Sequence, residues 1–214
     1  MQCEEVWPYY EYLNKHRLSL LLKRILDVVF SILLLILLIL PCLIIAIVVA
    51  CESKGGLFYT QKRVTQYGRI FNIHKFRTMR NESDNKGSLT VFEDERITKS
   101  GRWMRKYHID EIPQLIDILA GNMTFVGTRP EVPEFVSRYT NEMNATLLLP
   151  AGITSSASIA YRNEYELLIS RQDAEKIYIE EILPKKMVMN LMDLKKFNLL
   201  NDFFLMLRTI KAVL

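Results

Sequence analysis

Asp110 and Glu111 stand side by side between two arginines, Arg105 upstream and Arg129 downstream. Adjacent acids can hold a divalent ion or attack phosphorus, and flanking arginines can clamp the negative charge that spreads over a transferring phosphate. The spacing predicts a helix here. Asp110 reads as its N-cap, Glu111 as the first helical residue and Pro113 as a member of the first turn, where a missing N–H costs little. Leu115, Ile116, Ile118 and Leu119 continue the pattern, and Gly121 stops it. A helix start presents free N–H groups and positive partial charge, which favours phosphate and ionised carboxylates. The same residues have a plain reading, because an aspartate cap followed by glutamate is ordinary helix-start chemistry. On these residues alone both readings stand.

The elements that must position the pair come from the rest of the 214 residues. That length suits one domain plus an anchor. The net charge of +4 leaves no nucleic-acid footprint. Basic residues do gather between Lys54 and Arg105, among them Lys62, Arg63, Arg69, Lys75, Arg77 and Arg102. Such a band can face anionic head groups or a phosphate-rich substrate, or simply be a solvated surface. Cys3, Cys42 and Cys51 form no metal pattern and read as reduced. His16, His74 and His108 are scattered, and His108 reads as structural. No zinc pattern, Walker A loop, G-x-G-x-x-G or G-x-S-x-G occurs.

Residues 25–51 are the strongest single signal. Between Ile25 and Ala50 only Asp27 is charged. A helix of that length would measure about 39 Å, more than a hydrocarbon core of about 30 Å requires. It is too long and too late for a signal peptide. Pro41 interrupts it, removing one backbone hydrogen bond. Basic residues flank both ends, Lys15, Arg17, Lys23 and Arg24 before it and Lys54, Lys62 and Arg63 after it. Because basic flanks mark the cytoplasmic side, a hairpin that enters, breaks at Pro41 and returns keeps both inside. A single-pass anchor with a tolerated proline is the alternative. Residues 1–24, with Trp7, Tyr9, Tyr10 and Tyr12, read as an interfacial segment, and 52–214 as a cytoplasmic domain.

Within that domain, residues 57–61 and 69–76 read as two short strands, 80–96 as a polar loop and 98–108 as a basic helix. Helices are expected over 134–147 and 164–182, with a turn and extended piece at 149–154. The tail, 187–214, is expected to form a helix docked on the core or lying on a membrane interface. The fold class is therefore α+β and membrane-associated: a re-entrant helix hairpin, then a mostly helical catalytic domain with a small β element and interfacial helices.

Several stretches together carry a resemblance. They are Lys23-Arg24-Ile25-Leu26-Asp27, Thr60-Gln61-Lys62-Arg63, Phe71-Asn72-Ile73-His74-Lys75-Phe76-Arg77-Thr78-Met79, Asp110-Glu111-Ile112-Pro113-Gln114-Leu115, Gly121 through Pro130, and Pro150-Ala151-Gly152-Ile153-Thr154. In this order the chain resembles the bacterial sugar transferases, the monotopic phosphoglycosyl transferases, over residues 23 to about 163. The resemblance implies transfer of a phospho-sugar from a UDP-sugar to polyprenyl phosphate, with release of UMP, as the first membrane step of glycoconjugate assembly. It implies Mg2+ as cofactor, with Asp110 and Glu111 as metal ligands. It makes Asp110 the nucleophile of a covalent intermediate and Glu111 its helper. Arg105, Arg129, Arg162 and Lys75 become substrate-binding residues, and Pro41 the membrane break. It implies a bacterial inner-membrane location with the catalytic domain on the cytoplasmic face. Expected partners are the two substrates, membrane lipids, and a second copy or downstream glycosyltransferases.

The chain also departs from the family pattern. Leu40-Pro41 replaces Ser-Pro, Thr128 stands where proline is usual, and Ser155-Ser156-Ala157-Ser158 replaces Gly-Trp-Ala-Gln. Two other readings compete, a catalytically inactive membrane-tethered scaffold of the same fold and an enzyme acting on phospholipid head groups.

Overall fold

The computed structural model describes residues 3–53, 55–80, 96–164 and 171–213, with 171–173 described by backbone alone. Most of the expected 80–96 loop, and residues 165–170 of the expected 164–182 helical region, lie outside the described residues.

Helix α1, Trp7–Lys15, opens with Pro8 in its first turn, where no N–H is needed. Tyr9 and Leu13, one turn apart, face inward with Val6 and meet Ala145, Leu148, Leu191, Leu194 and Phe197. Trp7 stays exposed.

Helix α2, Arg17–Glu52, is 36 residues long, about 54 Å. It is the one helix among the described residues long and apolar enough to cross a membrane. One stripe of it contacts the rest of the chain from end to end. Lys23 pairs with Asp202 at 2.6 Å, and Asp27 accepts from the Thr124 hydroxyl at 2.6 Å. Leu34, Leu35 and Leu38 pack on Phe71, Leu115 and Ile118. Cys42, Ile45 and Val49 meet Phe76 and Met104, and Glu52 accepts from the Ser100 hydroxyl at 2.7 Å. The opposite face leaves Leu22, Ile25, Val29, Leu33, Ile36, Leu40, Ile44 and Ile47 exposed. The two-armed hairpin expected at 25–51 is not seen, because α2 runs through Pro41 as one helix. Proline removes a single rung of the ladder, and Leu38 and Cys42, on either side of it, are both seated against the body.

Strands β1, Phe58–Val64, and β2, Ile70–Phe76, pair antiparallel, with Tyr59 opposite Lys75 and Gln61 opposite Ile73. Helix α3, Lys99–Lys106, is capped by the Thr98 hydroxyl, which accepts from the Gly101 N–H at 3.0 Å. Helix α4, Gln114–Leu119, ends at Gly121, whose φ of +78° suits glycine. Strand β3, Met123–Val126, follows.

The helix expected over 134–147 breaks into α5, Pro133–Val136, and a 3-10 segment, Glu142–Leu148. Between them Thr140 accepts from the Met143 N–H at 3.3 Å and restarts the chain locally. Strand β4, Ala151–Thr154, realises the extended piece and pairs parallel to β3, with Met123 opposite Ala151 and Val126 opposite Thr154. Then come α6, Ser156–Ala160, and α7, Arg171–Ile177. A π-helical turn, Tyr178–Ile182, leads into α8, Leu183–Lys195, and α9, Leu199–Val213, closes the described chain. The expected single tail helix is therefore two. Phe197 is buried, and the Asn198 side chain accepts from the Leu200 N–H at 2.9 Å, which ends one helix and starts the next.

The core consists of small clusters rather than one mass. Phe71, Ile73, Leu115, Ile118 and Met123 join β2, α4 and β3 beneath the middle of α2. Val132, Phe135, Tyr178, Leu183 and Met187 join α5 to α8.

Candidate active site

Asp110 and Glu111 sit on a 3-10 turn, Ile109–Glu111, between α3 and α4. His108 precedes the turn with φ +53°, a left-handed conformation uncommon outside glycine. It reverses the chain after α3, and the Glu111 N–H then reaches the His108 carbonyl at 3.2 Å. This corrects the N-cap reading of Asp110. Helix α4 begins only at Gln114, and no side-chain bond caps it or the turn. Asp110 is buried without a capping bond to account for it.

Glu111 is also buried, and cations hold both its oxygens. Lys75, projecting from β2, donates to Oε1 at 2.8 Å. Arg129, in the loop after β3, grips Glu111 with both ends of its guanidinium. Nη1 donates to Oε2 at 3.1 Å and Nη2 to Oε1. Burial pushes the Glu111 carboxyl up, but Arg129 and Lys75 outweigh it and hold the group well below the usual carboxylate range. Asp110 goes the other way. Burial raises it, and Glu111 adds to the rise, while Lys75, Arg105 and His108 offset only part. Two neighbouring carboxyls are thus split, one firmly ionised and one more basic than usual, the pattern that separates roles in a catalytic acid pair.

Arg105, in the last turn of α3, donates from Nε to the Thr78 hydroxyl at 2.8 Å, and its charge reaches Asp110. Asp110, Glu111, Lys75, Arg105 and Arg129 therefore converge. Arg162 does not join them among the described residues. It is exposed and donates to the Ala212 carbonyl in α9. Pro41 lies within α2, flanked by the contacts of Leu38 and Cys42.

Residues given no site role from sequence support this cluster. Gly127 and Gly152 face each other where the loop bearing Arg129 leaves β3, and a Cβ on Gly152 would fall on the Gly127 backbone. The Gly127 N–H donates to Thr154 at 2.9 Å, and the Gly152 N–H to Thr128 at 2.8 Å. Beyond Arg129, buried Glu131 accepts from Tyr178 at 2.5 Å and from Lys186 at 3.4 Å, and Lys186 also reaches Glu164 at 3.0 Å. Arg63 donates to the Pro130 carbonyl at 3.1 Å. Beside Lys75, Asp117 accepts from the His74 N–H at 2.9 Å and bonds its ring at 2.8 Å, which pins β2 to α4. The acid in Arg129-Pro130-Glu131 was a signal within reach of sequence reading; Tyr178 and Lys186 carry none.

Among the described residues no group of three or more acidic, histidine or cysteine side chains converges on a metal position. Mg2+ commonly keeps several waters and is held by one or two carboxylates together with substrate phosphates. A pair of carboxylates, of which Lys75 and Arg129 already engage Glu111, is a donor set of that kind.

Residues 18–214 match the family model described as bacterial sugar transferase. The chain is 37% identical over 144 residues to the uncharacterized sugar transferase EpsL of Bacillus subtilis, covering 67% of this chain and 71% of that protein. It is 33% identical over 153 residues to the UDP-glucose:undecaprenyl-phosphate glucose-1-phosphate transferase of Escherichia coli, covering 69% of this chain but 33% of that protein. With the undecaprenyl-phosphate galactose phosphotransferase of Salmonella typhimurium the identity is 28% over 214 residues, covering 92% of this chain and 41% of that protein. The chain thus spans most of the first relative and well under half of the other two. With a family match over nearly its whole length, this chain belongs to the bacterial sugar transferases.

Proposed function

We propose that this protein transfers a phospho-sugar from a UDP-sugar to polyprenyl phosphate at the bacterial inner membrane. The observation that carries the reading is the buried Asp110–Glu111 pair, with Lys75 and Arg129 gripping Glu111 and leaving Asp110 beside them. The relatives named for such transfers to undecaprenyl phosphate support the reaction class.

An Asp110 carboxylate oxygen attacks the phosphorus that bears the sugar. The bond from that phosphorus to the bridging oxygen breaks, and UMP leaves with its electron pair. The acyl phosphate so formed carries the sugar phosphate. A polyprenyl phosphate oxygen then attacks the same phosphorus and expels the Asp110 carboxylate, giving polyprenyl-diphospho-sugar. Splitting one transfer into two suits substrates of which one is soluble and one lipid-embedded. Arg129 and Lys75 keep Glu111 ionised and place positive charge beside the reacting phosphates, while Arg105 lies on the Asp110 side. Mg2+, when bound with the diphosphate, would neutralise phosphate charge next to Asp110.

Both ends of α2 lie on the cytoplasmic side in this reading. Contacts from Lys23 to Glu52 extend along about 44 Å of helix, and polar bonds to the same body secure each end. A helix crossing a core of about 30 Å would part those contacts. The helix instead sinks its exposed apolar face into one leaflet, with the body against its other side.

The test is purified protein in detergent or nanodiscs with polyprenyl phosphate, Mg2+ and a panel of UDP-sugars, followed by UMP release. Repeated turnover to UMP with at least one donor, dependent on the lipid beyond the one equivalent that formation of the Asp110 adduct releases, is expected. No UMP with any donor overturns the reading.

A further inference from the structure

Thr78 lies just beyond β2 and is buried. It meets helix α3 at both ends. At the start of the helix the Thr78 carbonyl accepts from the Thr98 N–H at 2.9 Å and from the Thr98 hydroxyl at 3.4 Å. In the last turn the Thr78 hydroxyl accepts from Arg105 Nε at 2.8 Å.

Helix α3 is held in place without that second contact. Gly101 lies flat against Thr78, where a Cβ would stand 2.4 Å from the Thr78 carbonyl oxygen, so glycine lets the helix come this close. Met104 is buried against Val49 and Phe76. The Ser100 N–H and hydroxyl donate to Glu52 at 3.1 and 2.7 Å. Met79 and Ile97 bridge the segment leaving β2 and the segment entering α3. Backbone and core contacts therefore fix the helix axis. The Thr78 hydroxyl fixes the direction of one long side chain.

Arginine has several rotatable bonds, and ordering it costs conformational entropy. Its guanidinium is planar, so a bond at Nε sets the plane and with it the direction of both Nη groups. That direction matters because Arg105 lies on the Asp110 side of the dyad, where its positive charge acts on the carboxylate. An arginine oriented before substrate arrives loses less freedom on gripping a phosphate. Valine in place of Thr78 has the same shape and would leave the helix seated but the guanidinium unaligned.

We infer that Thr78 is a positioning residue for the reaction, whose hydroxyl aims the Arg105 guanidinium at the substrate phosphates beside Asp110. The inference rests on the transfer reading proposed above and adds which neighbour orients one of its phosphate-binding residues.

A double-mutant cycle tests it, read as kcat/KM for the UDP-sugar that the parent turns over. Thr78→Val should lower kcat/KM at least about tenfold, as expected for a lost bond to a charged group. Thr78→Ser keeps a hydroxyl and should stay within about threefold of the parent. Arg105→Lys keeps a charge but has no Nε–H for Thr78 to hold. On that background Thr78→Val should change kcat/KM by less than about twofold, since a residue that acts through another has nothing left to act on. Thermal melts check that each variant is folded. If valine does not fit, Thr78→Ala takes its place, because it removes the hydroxyl without adding bulk and keeps the carbonyl bond to Thr98. Parental kcat/KM in a variant lacking the hydroxyl would overturn the inference. So would a serine variant as impaired as the valine one, or an equal loss on the parent and Arg105→Lys backgrounds, the mark of a purely structural threonine. A parent that turns over no donor removes the transfer reading, and the role of Thr78 with it.

Discussion

Replacing Asp110 by asparagine keeps the shape of the side chain and removes the carboxylate oxygen proposed as the nucleophile. Asp110 is 6% exposed and caps no helix, so asparagine disturbs no capping bond. A buried amide lacking a partner costs about 1–3 kcal/mol. Opposing that, the substitution removes a carboxyl that burial makes hard to ionise. The two terms have opposite sign, so stability should change by no more than about 2 kcal/mol, a few degrees in Tm for a chain of this size. Loss of the covalent route should lower kcat at least about 1,000-fold, or roughly 4 kcal/mol of barrier. UMP release measures the loss, and intact-protein mass after mixing with UDP-sugar alone should show a phospho-sugar adduct on the parent and none on the variant. A folded Asp110→Asn protein retaining a tenth of parental turnover would refute the assignment. The raised carboxyl also sets a pH dependence. The proposed attack needs Asp110 ionised, so activity should fall with decreasing pH through a pKa above the ordinary carboxylate range. For stability, the neutral form of Asp110 is favoured in the fold, so its contribution is lost as pH rises through that pKa. Glu111, held low, contributes stability above its unfolded pKa that is lost on acidification.

Arg129→Lys keeps the charge but loses the two-pronged grip on Glu111, which should cost about 1.5–3 kcal/mol, or roughly 10- to 100-fold in kcat/KM; an unchanged kcat/KM would show that the fork is not used. Gly152→Ala drives a methyl into the Gly127 backbone, which has no side chain to move aside, and should lower stability by about 1–3 kcal/mol. A thermal melt superimposing on the parent would disprove that close approach. For topology, cysteines placed at exposed Glu11 and Lys62, in a background lacking Cys3, Cys42 and Cys51, should both resist a membrane-impermeant thiol reagent on intact cells. Labelling at Glu11 alone would mean that α2 crosses the bilayer.

Some of this was determined by sequence because the signal is local. Glycine at 121 ends α4, alternation marks β2, and a run of apolar residues makes α2 a membrane-competent helix whatever it packs against. The adjacent acids and the order of motifs likewise need no fold to be read. Tertiary structure decided what depends on residues far apart in the chain. Pro41 is a break by local rules, yet contacts at Leu38 and Cys42 keep α2 continuous. Asp110 looks like a cap, but His108 in a left-handed conformation places it on a separate turn. Lys75 and Arg129 are ordinary cations in a basic sequence until strands β2 and β3 bring them onto one carboxylate. Arg162, equal to Arg129 as a candidate, ends at the surface against α9. A carboxyl's basicity is the sum of burial and surrounding charge, and neither exists until the chain has folded. The opposite shifts of Asp110 and Glu111, neighbours of nearly identical chemistry, were therefore invisible in the order of their residues.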